Sequence, residues 1–103
     1  MSLQQNEFKC VDRGKYAVTG DLTFNSVTPI WNKARKILSG VEEEKIDIDI
    51  GSTKELDSGG LALLVAWSRW AYCNNKQIIF HNASNQVRKF IEINKLNNIL
   101  NLT

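Results

Sequence analysis

The chain has 103 residues and a mass of 11.7 kDa, which suffices for one small domain and excludes a multi-domain enzyme. Hydrophobic residues make up 43% and charged residues 23% of the chain, a composition typical of a folded domain and not of a disordered segment. The formal net charge is only +2, which does not indicate nucleic-acid binding. We therefore expect one domain over residues 1–103, in which Met1 to Leu3 could be left over from cloning.

Cysteine usage and hydropathy indicate the cellular compartment. Cys10 and Cys73 are far apart, form no CxxC pair and accompany no export signal, so we expect reduced thiols without a metal or a cofactor. The longest strongly apolar run, Gly59 to Trp67, is about half of what spans a bilayer. We expect a cytoplasmic protein that does not itself insert into a membrane.

Two short strands joined by a tight turn are predicted near the start of the chain, over Phe8–Val11 and Lys15–Thr19. After a polar loop, Thr28-Pro29 has the residue types favoured at the N-cap and first position of a helix. That helix is expected to continue to about Leu38, because its apolar residues recur on one face and Gly40 follows.

The second half of the chain alternates strands and helices. Isoleucine alternates with charge in Lys45–Ile50, which predicts a strand, and residues 57–73 (DSGGLALLVAWSRWAYC) are long and apolar enough for a helix capped by their first or second residue. Gln77–His81 is predicted as a third core strand, and Ser84 as the cap of an amphipathic helix. The order β-β-α-β-α-β-α predicts an α/β fold, a small mixed sheet with helices packed mainly on one face.

Few residues are suited to catalysis. His81 is the only histidine, and no serine or cysteine close to it in sequence forms a recognisable nucleophile motif. Asp47 and Asp49 have the spacing of a carboxylate pair, but a half-exposed strand shows the same alternation. No glycine-rich phosphate-binding motif occurs. We interpret His81 as structural and expect no enzymatic activity.

The helix predicted over residues 57–73 carries large apolar side chains around much of its circumference. A rotation of 100° per residue suggests one face with Leu61 and Leu64 and an opposite face with Leu63, Trp67 and Trp70. We favour a partner surface at the second face. The alternative, that neighbouring helices bury the tryptophans within the domain, stays open, as does dimerisation of the isolated domain through them.

Asp57-Ser58-Gly59-Gly60 stands at the predicted start of this helix. It places a hydroxyl beside two glycines, which allow another backbone to approach closely. Taken alone, the motif is equally an ordinary N-cap.

In its wider context the motif resembles the signature of a known family. The segment IDIDIGSTKELDSGGLALLVAW, residues 46–67, is similar to that of STAS domains, which include anti-sigma-factor antagonists and the cytoplasmic tails of sulfate transporters. The resemblance covers nearly the whole chain, since GDL at 20–22 and IIFHNASNQVRKFIEINKL at 78–96 follow the family's order. Relative to longer members, the C-terminal strand and helix are expected to be missing or truncated.

Two groups within the family imply different functions. Antagonists controlled by phosphorylation carry Asp-Ser-Ser-Gly or Asp-Ser-Thr-Gly and are phosphorylated on the second hydroxyl, where this chain has Gly59, although Ser58 keeps a hydroxyl. DSGGLALL is similar to the Asp-Thr-Gly-Gly-Leu-Ala-Leu-Leu of the STAS subunit of Mla-type phospholipid-transport ABC systems of Gram-negative bacteria, with Ser58 in place of threonine. This second resemblance implies a non-catalytic subunit that binds the cytoplasmic ATPase and supports its assembly and activity at the inner membrane.

The resemblance also implies a contact site. Ser58 would meet the ATPase, presented by its neighbours in the motif, and Asp21 would lie near the same end of the sheet. The helical-face argument adds three more positions. The expected partner-binding residues are Asp21, Asp57, Ser58, Gly59, Gly60, Leu61, Leu63, Trp67 and Trp70. The alternative function is an anti-sigma-factor antagonist that binds a kinase and is phosphorylated on Ser58.

Overall fold

A computed structural model describes residues 6–103, in which a five-stranded sheet is combined with three helices. The strands are β1 (Glu7–Asp12), β2 (Lys15–Thr19), β3 (Lys45–Asp49), β4 (Gln77–His81) and β5 (Asn101–Leu102). The helices are α1 (Val27–Leu38), α2 (Ser58–Cys73) and α3 (Asn85–Ile93). The expectation about Met1 to Leu3 falls outside the described residues.

The sheet is mixed, and its strands lie side by side in chain order. β1 and β2 form an antiparallel hairpin whose turn includes Gly14 at a φ of +68°, a conformation that glycine adopts without steric cost. β3, β4 and β5 each pair in parallel with the preceding strand. The predicted α/β class and mixed sheet are confirmed.

Two elements differ from the sequence-based prediction. Helix α1 begins at Val27 after Ser26, so Thr28-Pro29 lies inside its first turn, where proline is tolerated because the N–H it lacks would have no helical partner. The Oγ atom of Ser26 donates to the Asp21 carbonyl at 2.8 Å and accepts from the Thr23 N–H at 3.0 Å, which draws this loop into the helix start. Strand β5 was not predicted, because two residues carry no periodic pattern.

Alternation along the strands separates an apolar face from a polar one. Ile46 and Ile48 of β3 and Phe80 of β4 are fully buried in the core, whereas the intervening Asp47 is partly exposed on the other face. α2 contacts both β4 and α1, and α1 also contacts β1. The helices therefore cover the isoleucine face, as the period-2 pattern predicted.

The predicted division of α2 into two opposite faces is wrong. Residues three apart differ by only about 60° around a helix, so Leu64 and Trp67 lie on the same side. Both are buried, as is Leu63, and the Trp67 ring centroid lies 5.4 Å from that of Phe8 and 6.4 Å from that of Phe80. Packing within the domain removes the Leu63 and Trp67 side chains from any partner or dimer surface. Trp70 is half-buried and remains accessible.

No helix within residues 6–103 has both the length and the apolar character that crossing a membrane requires.

Candidate interaction site

Two loops meet at the edge of the sheet where the parallel strands end, and they shape the start of α2. The loop after β2 and the loop after β3 are joined through Leu22, whose N–H donates to the Glu55 carbonyl at 3.0 Å. The Leu22 carbonyl in turn accepts from the Asp57 N–H at 3.2 Å. Thr53 is fully buried between the loops and donates its hydroxyl to the Gly20 carbonyl at 3.0 Å. These bonds fix the position from which α2 departs.

The Asp57 carboxylate caps α2. Its Oδ1 atom accepts hydrogen bonds from the N–H groups of Gly59 at 2.8 Å and Gly60 at 3.1 Å, which have no partner within the helix. Its Oδ2 atom accepts from the Phe24 N–H at 3.1 Å. One side chain thus holds both the helix start and the neighbouring loop.

These contacts change the acidity of Asp57. Desolvation by itself would raise its pKa, but the backbone N–H groups of Phe24, Gly60 and Gly59 outweigh that effect and hold the pKa below its ordinary value of 3.8. The carboxylate is therefore ionised at neutral pH. A negative charge at a helix N-terminus is also favoured by the helix dipole.

Asp21 lies near the same end of the sheet, as expected, and its side chain binds the backbone of the loop after β3. Its Oδ1 atom accepts from the N–H groups of Lys54 at 2.9 Å and Glu55 at 3.0 Å. Its carbonyl accepts from the Asn6 side-chain amide at 2.8 Å. Asp21 and Asp57 therefore cross-link the two loops from opposite directions.

Gly59 and Gly60 allow a close approach, but the approaching backbone belongs to this chain. A Cβ atom on Gly60 would lie 2.2 Å from the carbonyl oxygen of Leu22, and one on Gly59 would lie 2.9 Å from the Phe24 ring and 3.1 Å from its Cα atom. Both glycines are buried. The expectation that they admit a partner's backbone is wrong, because the loop after β2 already occupies that space.

Ser58 is exposed at the first position of α2. Its hydroxyl makes no hydrogen bond with the described residues, in contrast to the Asp57 side chain immediately before it. It is thus an exposed donor and acceptor that takes no part in the hydrogen bonds among residues 6–103.

A groove of about 670 Å³ extends from Ser58 along the outer side of α2, and we call it the α2 groove. Among its lining residues, Ala62 and Arg69 are exposed, Val65 and Ala66 are half-buried, and Leu61 is buried. The lining residues are Ser58, Leu61, Ala62, Val65, Ala66, Arg69, Trp70, Cys73 and Leu96. The sequence analysis missed Ala62, Ala66 and Arg69, although a correct helical projection places them beside Val65.

Phe24 is a further residue that the sequence analysis missed. Its side chain is 69% exposed, although its backbone is held by Asp57 and packs against Gly59. A large exposed aromatic ring is typical of interaction surfaces. No periodic signal identified it, because it lies in an irregular loop.

The polar side chains on the opposite face of the sheet do not line the α2 groove. His81 Nε2 is 2.7 Å from Asp47 Oδ1, and His81 Nδ1 is 2.9 Å from the Thr103 hydroxyl. Asp49 accepts from the Asn82 side-chain amide at 3.1 Å. These contacts connect β3, β4 and the segment after β5 across the exposed face of the sheet.

Comparison with known proteins shows the family. Residues 11–102 match the family model described as Mlab, STAS domain. This chain is a member of the STAS domain family. The match includes the whole of α2 and the Asp57-Ser58-Gly59-Gly60 motif.

Solved structures agree with this STAS domain in fold. The anti-sigma factor antagonist SpoIIAA in its unphosphorylated form is similar with a TM-score of 0.74 and 20% identity, over 96% of this chain and 88% of that one. The Bacillus cell fate determinant SpoIIAA in the phosphorylated form gives a TM-score of 0.68 and 20% identity, over 96% and 91%. At 20% sequence identity, the similarity to these structures establishes the fold of this STAS domain.

Proposed function

We propose that this STAS domain is a non-catalytic subunit of an Mla-type phospholipid-transport ABC system, positioned at the cytoplasmic side of the inner membrane. Its partner is the ATPase of the transporter. The observation that carries the proposal is the geometry at Ser58, an exposed hydroxyl at the head of the α2 groove with no hydrogen-bond partner among residues 6–103. The similarity of DSGGLALL to the corresponding segment of Mla STAS subunits supports the choice of partner.

The contact residue in this proposal is Ser58, and its neighbours act by positioning it. Asp57 fixes the helix start, and the two glycines allow the Leu22–Phe24 segment to lie against it. The partner then meets the Ser58 hydroxyl, the exposed Phe24 ring and the small side chains of the α2 groove. Trp70 borders the same groove and supplies aromatic surface.

The surroundings of Gly59 favour this function over phosphorylation-controlled switching. In the antagonists, the residue at this position carries the hydroxyl that accepts phosphate. Here the position has no side chain, and an added Cβ atom would contact Phe24 at 2.9 Å. A phosphoacceptor at position 59 would require Phe24 to move.

The alternative function is an anti-sigma-factor antagonist, which the fold similarity to SpoIIAA favours. In that case Ser58 would accept the phosphate, since it has the only hydroxyl in the Asp57-Ser58-Gly59-Gly60 motif. A phosphoryl group would add almost two negative charges beside Asp57 and change which partners can bind.

Co-purification with the ABC ATPase encoded in the same genome tests the proposal. We expect the wild type to co-elute with the ATPase and Ser58→Glu to be lost, because a bulky charge would stand at the head of the groove. Ser39→Glu is the matched control, since Ser39 is an exposed serine after the last residue of α1 and does not line the α2 groove. It should co-elute like the wild type.

A second variant tests the groove separately from Ser58. Ala62→Arg introduces a long cation on the exposed side of α2 without entering the core, and we expect it to abolish co-elution. Gln86→Arg, the same new side chain at an exposed position of α3, should have no effect. If the ATPase never associates, and a cellular extract with ATP phosphorylates Ser58, the antagonist function replaces our proposal.

A further inference from the structure

A second concave site lies between α1 and α2 and is separate from the α2 groove except at Trp70, which borders both. It is a cavity of about 710 Å³, within the range of small-molecule binding sites. All three tryptophans of the chain, Trp31, Trp67 and Trp70, line it. We call it the tryptophan cavity.

Trp67 contributes a polar atom that has no hydrogen-bond partner within residues 6–103. The residue is 1% exposed, and its ring packs against Phe8 and Phe80. Its indole Nε1–H is buried and has no hydrogen-bond partner among the described residues. Buried donors are nearly always paired, because an unpaired one forfeits its hydration without compensation. The indole N–H therefore lacks an acceptor within residues 6–103, and Trp67 is one of the residues that line the tryptophan cavity.

The charge of the lining selects the kind of acceptor. Arg35 and Lys36 both line the cavity, and no acidic residue does. Neither cation takes part in an ion pair within residues 6–103. Their place in the last turn of α1 complements the helix dipole, which accounts for the cations but not for the unpaired indole N–H. Cations and an unused donor together favour an anionic acceptor.

We propose that the tryptophan cavity binds a small organic anion with an apolar body. A carboxylate or phosphate oxygen accepts the hydrogen bond from Trp67 Nε1–H and lies close to Arg35 and Lys36. The apolar body contacts the rings of Trp31 and Trp70. This site does not include Ser58 and shares only Trp70 with the proposed ATPase contact.

Four ligands with the same ten-carbon chain test the proposal: decanoate, decyl phosphate, decanol and decyltrimethylammonium, each below its micelle-forming concentration. Intrinsic fluorescence follows binding, since every tryptophan of the chain lines the cavity. The indole region of a ¹H–¹⁵N spectrum locates the ligand, with the Trp67 signal assigned by its loss in Trp67→Phe. The two anions distinguish a carboxylate from a phosphate ligand.

We expect at least one anion to bind, to shift the Trp67 indole N–H downfield and to slow its exchange with solvent. Decanol and decyltrimethylammonium should bind at least tenfold more weakly. Arg35→Gln/Lys36→Gln should weaken anion binding about tenfold or more. The matched control Lys33→Gln/Lys89→Gln removes the same charge from exposed positions outside the cavity lining and should leave binding unchanged.

Three results would each overturn the proposal. The first is that neither anion moves the Trp67 indole signal. The second is equal binding of all four ligands, which would indicate unspecific apolar adsorption. The third is unchanged anion affinity in Arg35→Gln/Lys36→Gln. Because Arg35→Gln/Lys36→Gln retains all three tryptophans and changes only exposed side chains of α1, a folding defect does not obscure the answer, and circular dichroism verifies the fold.

Discussion

The replacement Gly60→Ala tests the packing on which the geometry of Ser58 depends. The new Cβ atom would lie 2.2 Å from the Leu22 carbonyl oxygen and 2.8 Å from the Leu22 Cβ atom. Neither atom is the end of a flexible side chain, so either the loop after β2 or the start of α2 must move. That movement would also lengthen the bond from the Asp57 N–H to the same carbonyl.

The magnitude follows from opposing contributions. Inserting a carbon into a packed region costs typically about 1–3 kcal/mol, and a contact this short belongs at the upper end. Weakening one backbone hydrogen bond adds about 1 kcal/mol. Alanine gains at most about 1 kcal/mol over glycine inside a helix. We expect a net loss of about 3 kcal/mol in the free energy of unfolding, equivalent to roughly 12–24 °C in Tm for a domain of this size.

Urea unfolding followed by far-ultraviolet circular dichroism measures this loss, and two other glycines provide a graded comparison. Gly59→Ala should cost less, because its closest contact is the ring of Phe24, which is exposed and can turn aside. Gly40→Ala should be neutral within about 0.5 kcal/mol, since its Cβ atom would meet only one carbonyl oxygen at 3.9 Å. The reasoning is refuted if Gly60→Ala loses no more stability than Gly40→Ala.

Three further changes test other parts of the structure. The pKa of Asp57 is lower in the folded than in the unfolded chain, so its contribution to stability is complete at neutral pH and declines as the pH falls below about 3.8. As the pH is lowered, the urea midpoint should therefore fall more steeply for the wild type than for Asp57→Asn. Parallel curves for the two proteins would contradict this role of Asp57. Trp67→Ala should lower the free energy of unfolding by about 3–5 kcal/mol, whereas a loss below about 1 kcal/mol would mean that the ring is not in the core. Thr53→Val leaves the Gly20 carbonyl without its hydroxyl donor and should lower the free energy of unfolding by about 1–3 kcal/mol. Thr28→Val, at an exposed position, should lower it little, and equal losses in the two variants would contradict the role of the bond.

Local pattern was sufficient for most of the fold. Ile46, Ile48 and Ile50 alternate with charged residues, and this pattern predicts both the strand and the face that the helices cover. The Ser84 cap is confirmed, since its hydroxyl accepts from the Val87 N–H at 3.1 Å. The strand pattern and the helix cap are both determined by residues a few positions apart, so they can be predicted from the sequence alone.

The sequence by itself determined the family resemblance, the α/β class and the position of Ser58 at a helix start. Tertiary structure decided what surrounds that start. Leu22 and Asp57 are distant in sequence, and only folding shows that the backbone approaching the glycines belongs to the same chain. The packing of Trp67 against Phe8 and Phe80, and with it the tryptophan cavity, likewise depends on contacts between separate elements. Helical periodicity places a side chain on a face, but which elements cover that face is decided by long-range packing.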